Sequence, residues 1–455
     1  MRLRNWQAEC VTKAVGHFRE GNSNFLLVSP PGTGKSVTVA EIGACLHEDE
    51  LVDLILCLSP SGEIRDGLYR TFNQRMPDSF HKGFGSVGES ITYQRLLTLD
   101  DSFLAVAKNK RILVICDEIH HCSGGGDSIA NAWGSKMLNQ ILELATYTLC
   151  LSGTPWRTDQ LPIALAKYSQ DDELVVNYQY SLLQAVSEGV CRQPVICLID
   201  TDDCCVDEQN YGSIDDALIK TDLMYRQILE NEPAIKHLLQ LSISKLHEIR
   251  AHTPDAAGLV VAHSIEHAHR IKLMLEQTFN QTALLVSYRE KNPQAIIEQF
   301  RHGKAQWIVS ISMISEGTDI PRLHVCCHIT TIRTELYFRQ ILGRVLRVRA
   351  ADNSSEGFLF TFAEPQLKSF ACRVQDELPL LDVLRKIKPP CKPGQGADEK
   401  SRPSSATNIP NESSLKLGER ANTPTVSGTP KEKPELLWSF KGIFREEIIR
   451  ALSQI

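Results

Sequence analysis

Ser29-Pro30-Pro31-Gly32-Thr33-Gly34-Lys35-Ser36 decides the fold. The apolar run Phe25 to Val28 reads as a short buried strand, and Ser36 to Glu48 behind the loop reads as a helix. A glycine-rich turn between a strand and a helix has a physical use. Gly32 and Gly34 let the backbone wrap closely, so that successive N–H groups and the helix N-terminus face an anion. Lys35 is then placed for the β- and γ-phosphates of a nucleotide, and Ser36 for a magnesium ion. The full phosphate-loop pattern has a glycine where this chain has Ser29, so the strand-before, helix-after context carries the reading.

Working outward, Leu51 to Leu58, Arg111 to Cys116 and Tyr147 to Leu151 also read as doubly buried strands, with helices such as Ala132 to Leu144 between them. Alternating strands and helices imply a parallel sheet covered on both faces. A second series starts at Gly258, with strands at Leu259 to Ala262, Ala283 to Val286, Trp307 to Ile311 and Val325 to Ile329. Helices are expected at Ile265 to Phe279, Pro293 to His302 and Glu335 to Arg344. The fold class is α/β, with two tandem parallel-sheet lobes, at 1–168 and 256–392. Residues 169–255 form a connecting segment whose leucine-rich part, 213–250, reads as a helical hairpin. Residues 393–435 hold no aromatic residue and are rich in Pro, Ser, Thr, Asn and Gly, the composition of a disordered linker. Leu437, Phe440, Phe444, Ile448, Leu452 and Ile455 recur every three or four positions, so 436–455 is expected to be an amphipathic helix. That helix either folds back on the lobes or docks a protein partner.

Bulk composition narrows the class. With 455 residues, 42 % hydrophobic and 23 % charged, the chain has room for two or three domains of an ordinary globular protein. A formal charge of −6 argues against a uniformly basic coat but leaves room for local basic grooves. No apolar run approaches the roughly 20 residues that cross a bilayer, and Met1-Arg2-Leu3-Arg4-Asn5 has no signal-peptide core. The expected setting is intracellular and cytoplasmic, nucleoid-associated in a bacterium, with no membrane partner. Most of the 14 cysteines sit in strand-like runs, where a free thiol behaves as a small hydrophobe. His120-His121-Cys122 and the group His324, Cys326, Cys327, His328 lack the paired spacing of a structural zinc site.

The remaining chemistry is carried by three short stretches. Asp117-Glu118-Ile119-His120 ends a predicted strand; we assign Asp117 to the metal and Glu118 to the general base that polarises water. Ser152-Gly153-Thr154-Pro155 follows the next strand and by spacing alone is a turn. Far downstream, Gln340-Ile341-Leu342-Gly343-Arg344-Val345-Leu346-Arg347 places Gln340, Arg344 and Arg347 at i, i+4 and i+7 of one predicted helix, so all three face the same way. Arginine suits charge that grows on phosphate oxygens. Phosphate and metal on one lobe and cationic fingers on the other describe a nucleotide site that closes and opens with ATP.

Six stretches in this order resemble the superfamily 2 helicases and translocases, the DEAD/DEAH-box-like group, from about Leu3 to Arg349. They are Leu3-Arg4-Asn5-Trp6-Gln7, the phosphate loop, Asp-Glu-Ile-His, Ser-Gly-Thr-Pro, Ser315-Glu316-Gly317-Thr318-Asp319-Ile320-Pro321 and the arginine box. The flavour is that of type III restriction subunits and of repair and branch-migration translocases. The resemblance implies two RecA-like lobes, an ATP and Mg2+ requirement, and roles that spacing does not supply. Gln7 would read adenine; Gly32, Thr33, Gly34, Lys35 and Ser36 would cradle the phosphates. Gly317 and Asp319 would couple the nucleotide to the track, Asp319 through the ribose. Ser59, Thr92, His263 and Ser312 would touch the nucleic-acid backbone. Arg344 and Arg347 would be the fingers. Two departures stand out: Ile119 replaces a small residue, and Ser59-Pro60-Ser61-Gly62 lacks a leucine-glutamine continuation. The expected function is an ATP-dependent helicase or translocase on DNA rather than RNA. The alternatives are the motor subunit of a restriction, defence or repair complex, and a clamp using ATP only as a switch; Glu118, Arg344 and Arg347 argue against the clamp.

Overall fold

The structure, a computed structural model, describes residues 2–82, 85–98, 108–119, 142–153, 175–311, 318–349, 355–376, 437–440 and 443–450. Six strands form the first sheet: β1 (Asn24–Val28), β2 (Leu54–Ser59), β3 (Gly88–Thr92), β4 (Ile112–Cys116), β5 (Tyr147–Ser152) and β6 (Tyr178–Gln179). Their order is β3-β2-β4-β5-β1-β6, and every pair is parallel. β5 therefore lies between β1 and β4. The loops leaving their C-terminal ends meet on one edge, the place where open α/β sheets bind ligands.

The second sheet draws on β7 (Gln193–Thr201), and a small antiparallel sheet begins with β8 (Cys204–Val206) and β9 (Gln209–Tyr211). Next come β10 (Ala257–Ala262), β11 (Ala283–Val286), β12 (Trp307–Ser310), β13 (Leu323–Ile329), β14 (Glu356–Phe362), β15 (Trp438–Phe440) and β16 (Phe444–Arg450). The large sheet runs β11-β12-β10-β13-β14-β7-β16, parallel except for the final antiparallel pair, and β15 joins β8 and β9. Trp307 is wholly buried because β10 carries a glycine beside it: a Cβ at Gly258 would stand 2.2 Å from its ring.

Three expectations are corrected. The segment 169–255 is not a connector throughout, since β7 pairs with β14 over Gln193–Ile199 inside the second sheet. Residues 213–250 make three helices rather than a hairpin: Ile214–Lys220, Tyr225–Glu230 and Glu232–Arg250. The last packs on β13 and β14, burying Ile235, Leu238, Leu239, Leu246 and Ile249. The terminal helix expected over 436–455 is strand in its described part. β16 supplies hydrogen-bond partners to β7, which would otherwise be an open edge. The helical face is not the buried one: Ile448 is 50 % exposed while Ile449 is 7 % exposed. Phe444 stacks on His237 with ring centroids 4.8 Å apart and meets Phe440 at 5.2 Å, which seats the segment on the second lobe. The linker 393–435, the cluster His120-His121-Cys122 and most of the helix expected at 132–144 lie outside the described residues. Among the described residues, no helix is long and apolar enough to cross a membrane.

Candidate active site

The phosphate loop leaves β1 and turns through Gly32 (φ 85°) and Gly34 (φ 102°), left-handed positions that suit glycine. Gly34 caps the helix Lys35–Glu48. Where the full pattern has a first glycine, Ser29 is fully buried and hydrogen-bonds Thr33 through their hydroxyls at 3.0 Å. Thr33 also donates to the Pro30 carbonyl at 2.8 Å. The hydroxyl thus braces the loop from within.

Lys35 Nζ donates to the Ser29 carbonyl at 3.2 Å and pairs with Glu118 Oε1 at 3.4 Å. Glu118 has a φ of 50°, a left-handed conformation that is costly for a side chain of this size. Asp117 Oδ1 accepts its N–H at 3.0 Å, and Glu118 Oε2 accepts the Gly153 N–H at 3.2 Å. These bonds hold the turn and bring Glu118, Lys35 and the Ser152-Gly153 turn together. Asp117 itself is held by a bond from its N–H to the Leu58 carbonyl and by the Tyr93 hydroxyl on its own carbonyl. The Asp117 carboxylate at the exit of β4 and the Ser36 hydroxyl in the first helical turn are the hard oxygen donors that magnesium takes. The residues present therefore fit a magnesium–nucleotide.

Gln7 lies against the loop. Its Nε2 donates to the Gly34 carbonyl at 3.0 Å and its Oε1 accepts the Arg4 N–H at 2.8 Å. Both ends of the amide are engaged by the chain, so its visible work is to hold the loop. Arg4, which the sequence reading passed over, donates to the Thr33 carbonyl at 2.6 Å.

The second lobe reaches the loop directly. A Cβ on Gly343 would stand 2.8 Å from Pro31 Cβ, and one on Gly32 would stand 2.8 Å from Arg347 Cγ. Gln340 and Arg344 are buried on the helix Glu335–Val345. Arg347 lies two residues past its end, where residue 347 bridges Cys191, so the expectation that all three residues share one helix is corrected. The arginines still converge: the Nη1 of each donates to the Thr318 carbonyl at 2.8 Å, and Arg347 also pairs with Asp319.

The four expected track residues fare differently. The buried Ser59 hydroxyl bonds the Ser61 and Ile91 carbonyls at 3.3 and 3.2 Å. His263 is folded inward, stacked on His267 at 4.2 Å with Glu230 3.6 Å away, and burial holds its imidazole below its usual pKa. Thr92 opens onto a polar groove lined by Arg65, Tyr69, Lys82 and Arg95. Ser312 and Gly317 lie outside the described residues.

One positioning residue was missed. Arg192, wholly buried, donates to the carbonyls of Leu323, Val345 and Pro321 at 2.7, 2.8 and 3.3 Å. It ties the end of the arginine helix to β13. Nothing in its neighbours Cys191 and Gln193 marks it, because its partners are carbonyls far along the chain.

Comparisons agree with this arrangement. A family model for the res subunit of type III restriction enzymes matches residues 1–157, and one for the helicase conserved C-terminal domain matches residues 236–349. An uncharacterized protein of Mycobacterium leprae is 27 % identical over 403 residues, covering 82 % of this chain and 64 % of the relative. The chain thus spans less than two thirds of that relative's length. The DNA 3′–5′ translocase XPB2 of Sulfurisphaera tokodaii is 24 % identical over 369 residues, covering 76 % of this chain and 78 % of it. A fragment described as an HsdR subunit of a type I restriction enzyme from Vibrio vulnificus superposes with a TM-score of 0.56 at 17 % identity, covering 81 % of this chain and 65 % of that one. The fold is two tandem RecA-like lobes.

Proposed function

We propose that the chain is a superfamily 2 helicase or translocase, an intracellular motor that hydrolyses ATP between its lobes to move along DNA. The observation that carries this reading is the packing of the phosphate loop on the arginine helix, with Lys35 and Glu118 on one side and Arg344 and Arg347 on the other. A triphosphate entering the loop draws Lys35 away from Glu118. The freed carboxylate accepts a proton from water as the water oxygen bonds the γ-phosphorus and the bond to the β-phosphate oxygen breaks, leaving ADP and phosphate. Ser36 and Asp117 would hold a magnesium ion, which would neutralise charge on the phosphate oxygens. Arg344 and Arg347 meet the charge that grows on the γ-phosphoryl group, and Gln7 keeps the loop in place. Asp319, paired with Arg347, would link the fingers to the nucleotide.

The groove beside Thr92 sets Arg65, Lys82 and Arg95 against Asp66 and Glu89, a lining of net positive charge that suits a phosphate backbone and hence binding that weakens with salt. DNA is proposed over RNA because the archaeal relative is a DNA translocase and the first family model is that of a restriction subunit. A motor-subunit reading draws support from the greater length of the mycobacterial relative. It no longer draws any from a docking helix, since the C-terminal segment pairs with the chain's own second lobe. The test is steady-state ATPase activity alone and with single-stranded, duplex and forked DNA and RNA, with Lys35→Ala as blank. Stimulation by DNA supports the reading; stimulation by RNA alone reassigns the track.

A further inference from the structure

Thr318 joins the finger machinery to the first lobe through its own side chain. Its hydroxyl, fully buried, donates to Glu63 Oε2 at 2.9 Å, while its carbonyl accepts from both Arg344 and Arg347. Glu63 lies in the first turn of the helix Gly62–Arg75, whose cap Ser61 accepts the Ile64 N–H at 3.4 Å. Just before the cap, Ser59 is bonded to the Ser61 carbonyl and to the Ile91 carbonyl, and Ile91 adjoins Thr92 at the groove. Hydrogen bonds joined by short stretches of backbone therefore run from the groove wall to the two arginines.

We propose that Glu63 is a positioning residue acting through Thr318. Its carboxylate fixes Thr318, Thr318 fixes the two guanidinium groups, and nucleic acid in the Thr92 groove sets finger placement by shifting the 59–63 segment. The inference rests on the motor reading and adds the side chain through which the track speaks to the nucleotide. A lone carboxylate on a helix start is ordinarily a dipole-complementing surface group. Here it spans the lobe boundary and meets a buried hydroxyl, which a surface role does not require.

The test is a set of four variants, assayed for nucleic-acid-stimulated kcat, for binding of a non-hydrolysable ATP analogue and for nucleic-acid binding. Glu63→Ala should lower stimulated kcat about tenfold while both binding constants stay within about twofold, the signature of a transition-state effect. Glu63→Gln keeps an oxygen that accepts the Thr318 hydroxyl and should restore most of the rate. Thr318→Val, close in shape but without the hydroxyl, should reproduce Glu63→Ala. The double variant should be no slower than either single one, because both remove the same contact. Wild-type stimulation in Glu63→Ala, an equal loss in Glu63→Gln, or losses that multiply in the double variant would overturn the proposal. A wild-type chain whose hydrolysis ignores every nucleic acid would instead sink the motor reading, and this inference with it.

Discussion

The two halves of the candidate site are built differently. In the first lobe the charged residues of the site sit on the connections that leave strand ends: Lys35 after β1, Asp117 and Glu118 after β4, with Gly153 after β5. Parallel pairing alone brings those ends together. In the second lobe the fingers depend on residues from elsewhere in the chain. Thr318 holds both arginines, Arg192 secures the end of their helix from upstream, and β7 and β16 complete the sheet from either side of the core series. The phosphate half is a local construction and the finger half a tertiary one, so the two should respond differently to substitution.

The largest effect belongs to the local half. Lys35→Ala or Glu118→Gln should reduce ATP turnover to background while nucleic-acid binding stays measurable by fluorescence anisotropy; normal turnover in both would remove the assignment. Arg344→Ala should come next, slowing hydrolysis by about 10³, the lower end of what an arginine finger contributes, with ATP binding changed much less. Steady-state kinetics separates the two terms.

Arg192→Met sharpens the contrast, since it leaves three carbonyls without their guanidinium partner. We expect a loss of at least about 2 kcal/mol in urea unfolding, with a comparable loss of turnover. A variant as stable as wild type would show that the clamp is dispensable. Removing residues 437–450 should open the β7 edge and make the second lobe sensitive to limited proteolysis while the first resists.

The smallest effect is on pH dependence. Burial pushes the imidazoles of His267 and His328 down to about 3 and about 4, both in the second lobe, from an ordinary value of 6.5. The unfolded chain then binds more protons than the folded one between these values, so stability is fully present above pH 6.5 and falls as pH drops towards 4. Replacing His328 by Phe should flatten that slope in denaturant titrations at stepped pH; an unchanged slope would contradict it.

These contrasts also explain what was legible in the sequence. Strand runs such as Leu26-Leu27-Val28 and Ile112–Cys116 announce themselves because both faces are buried, and Gly32 and Gly34 because their backbone conformation suits so few residues. Val195–Ile199 is just as apolar, yet its place beside β14 is a matter of tertiary pairing that no local pattern encodes. Phe444 and Ile448 fit a helical period and a strand equally well, and only the waiting edge of β7 decides between them. Ser59 and His263 were placed by resemblance, whereas burial and internal hydrogen bonds decide what their side chains reach.

The most direct test of a site shared by two lobes is the DNA-stimulated ATPase rate of Arg344→Ala beside Glu118→Gln, at saturating ATP. A fall of about 10³ or more in both variants, with retained ATP binding, is the predicted result. Wild-type turnover in Arg344→Ala alongside an inactive Glu118→Gln would place the chemistry in the first lobe alone and contradict the account.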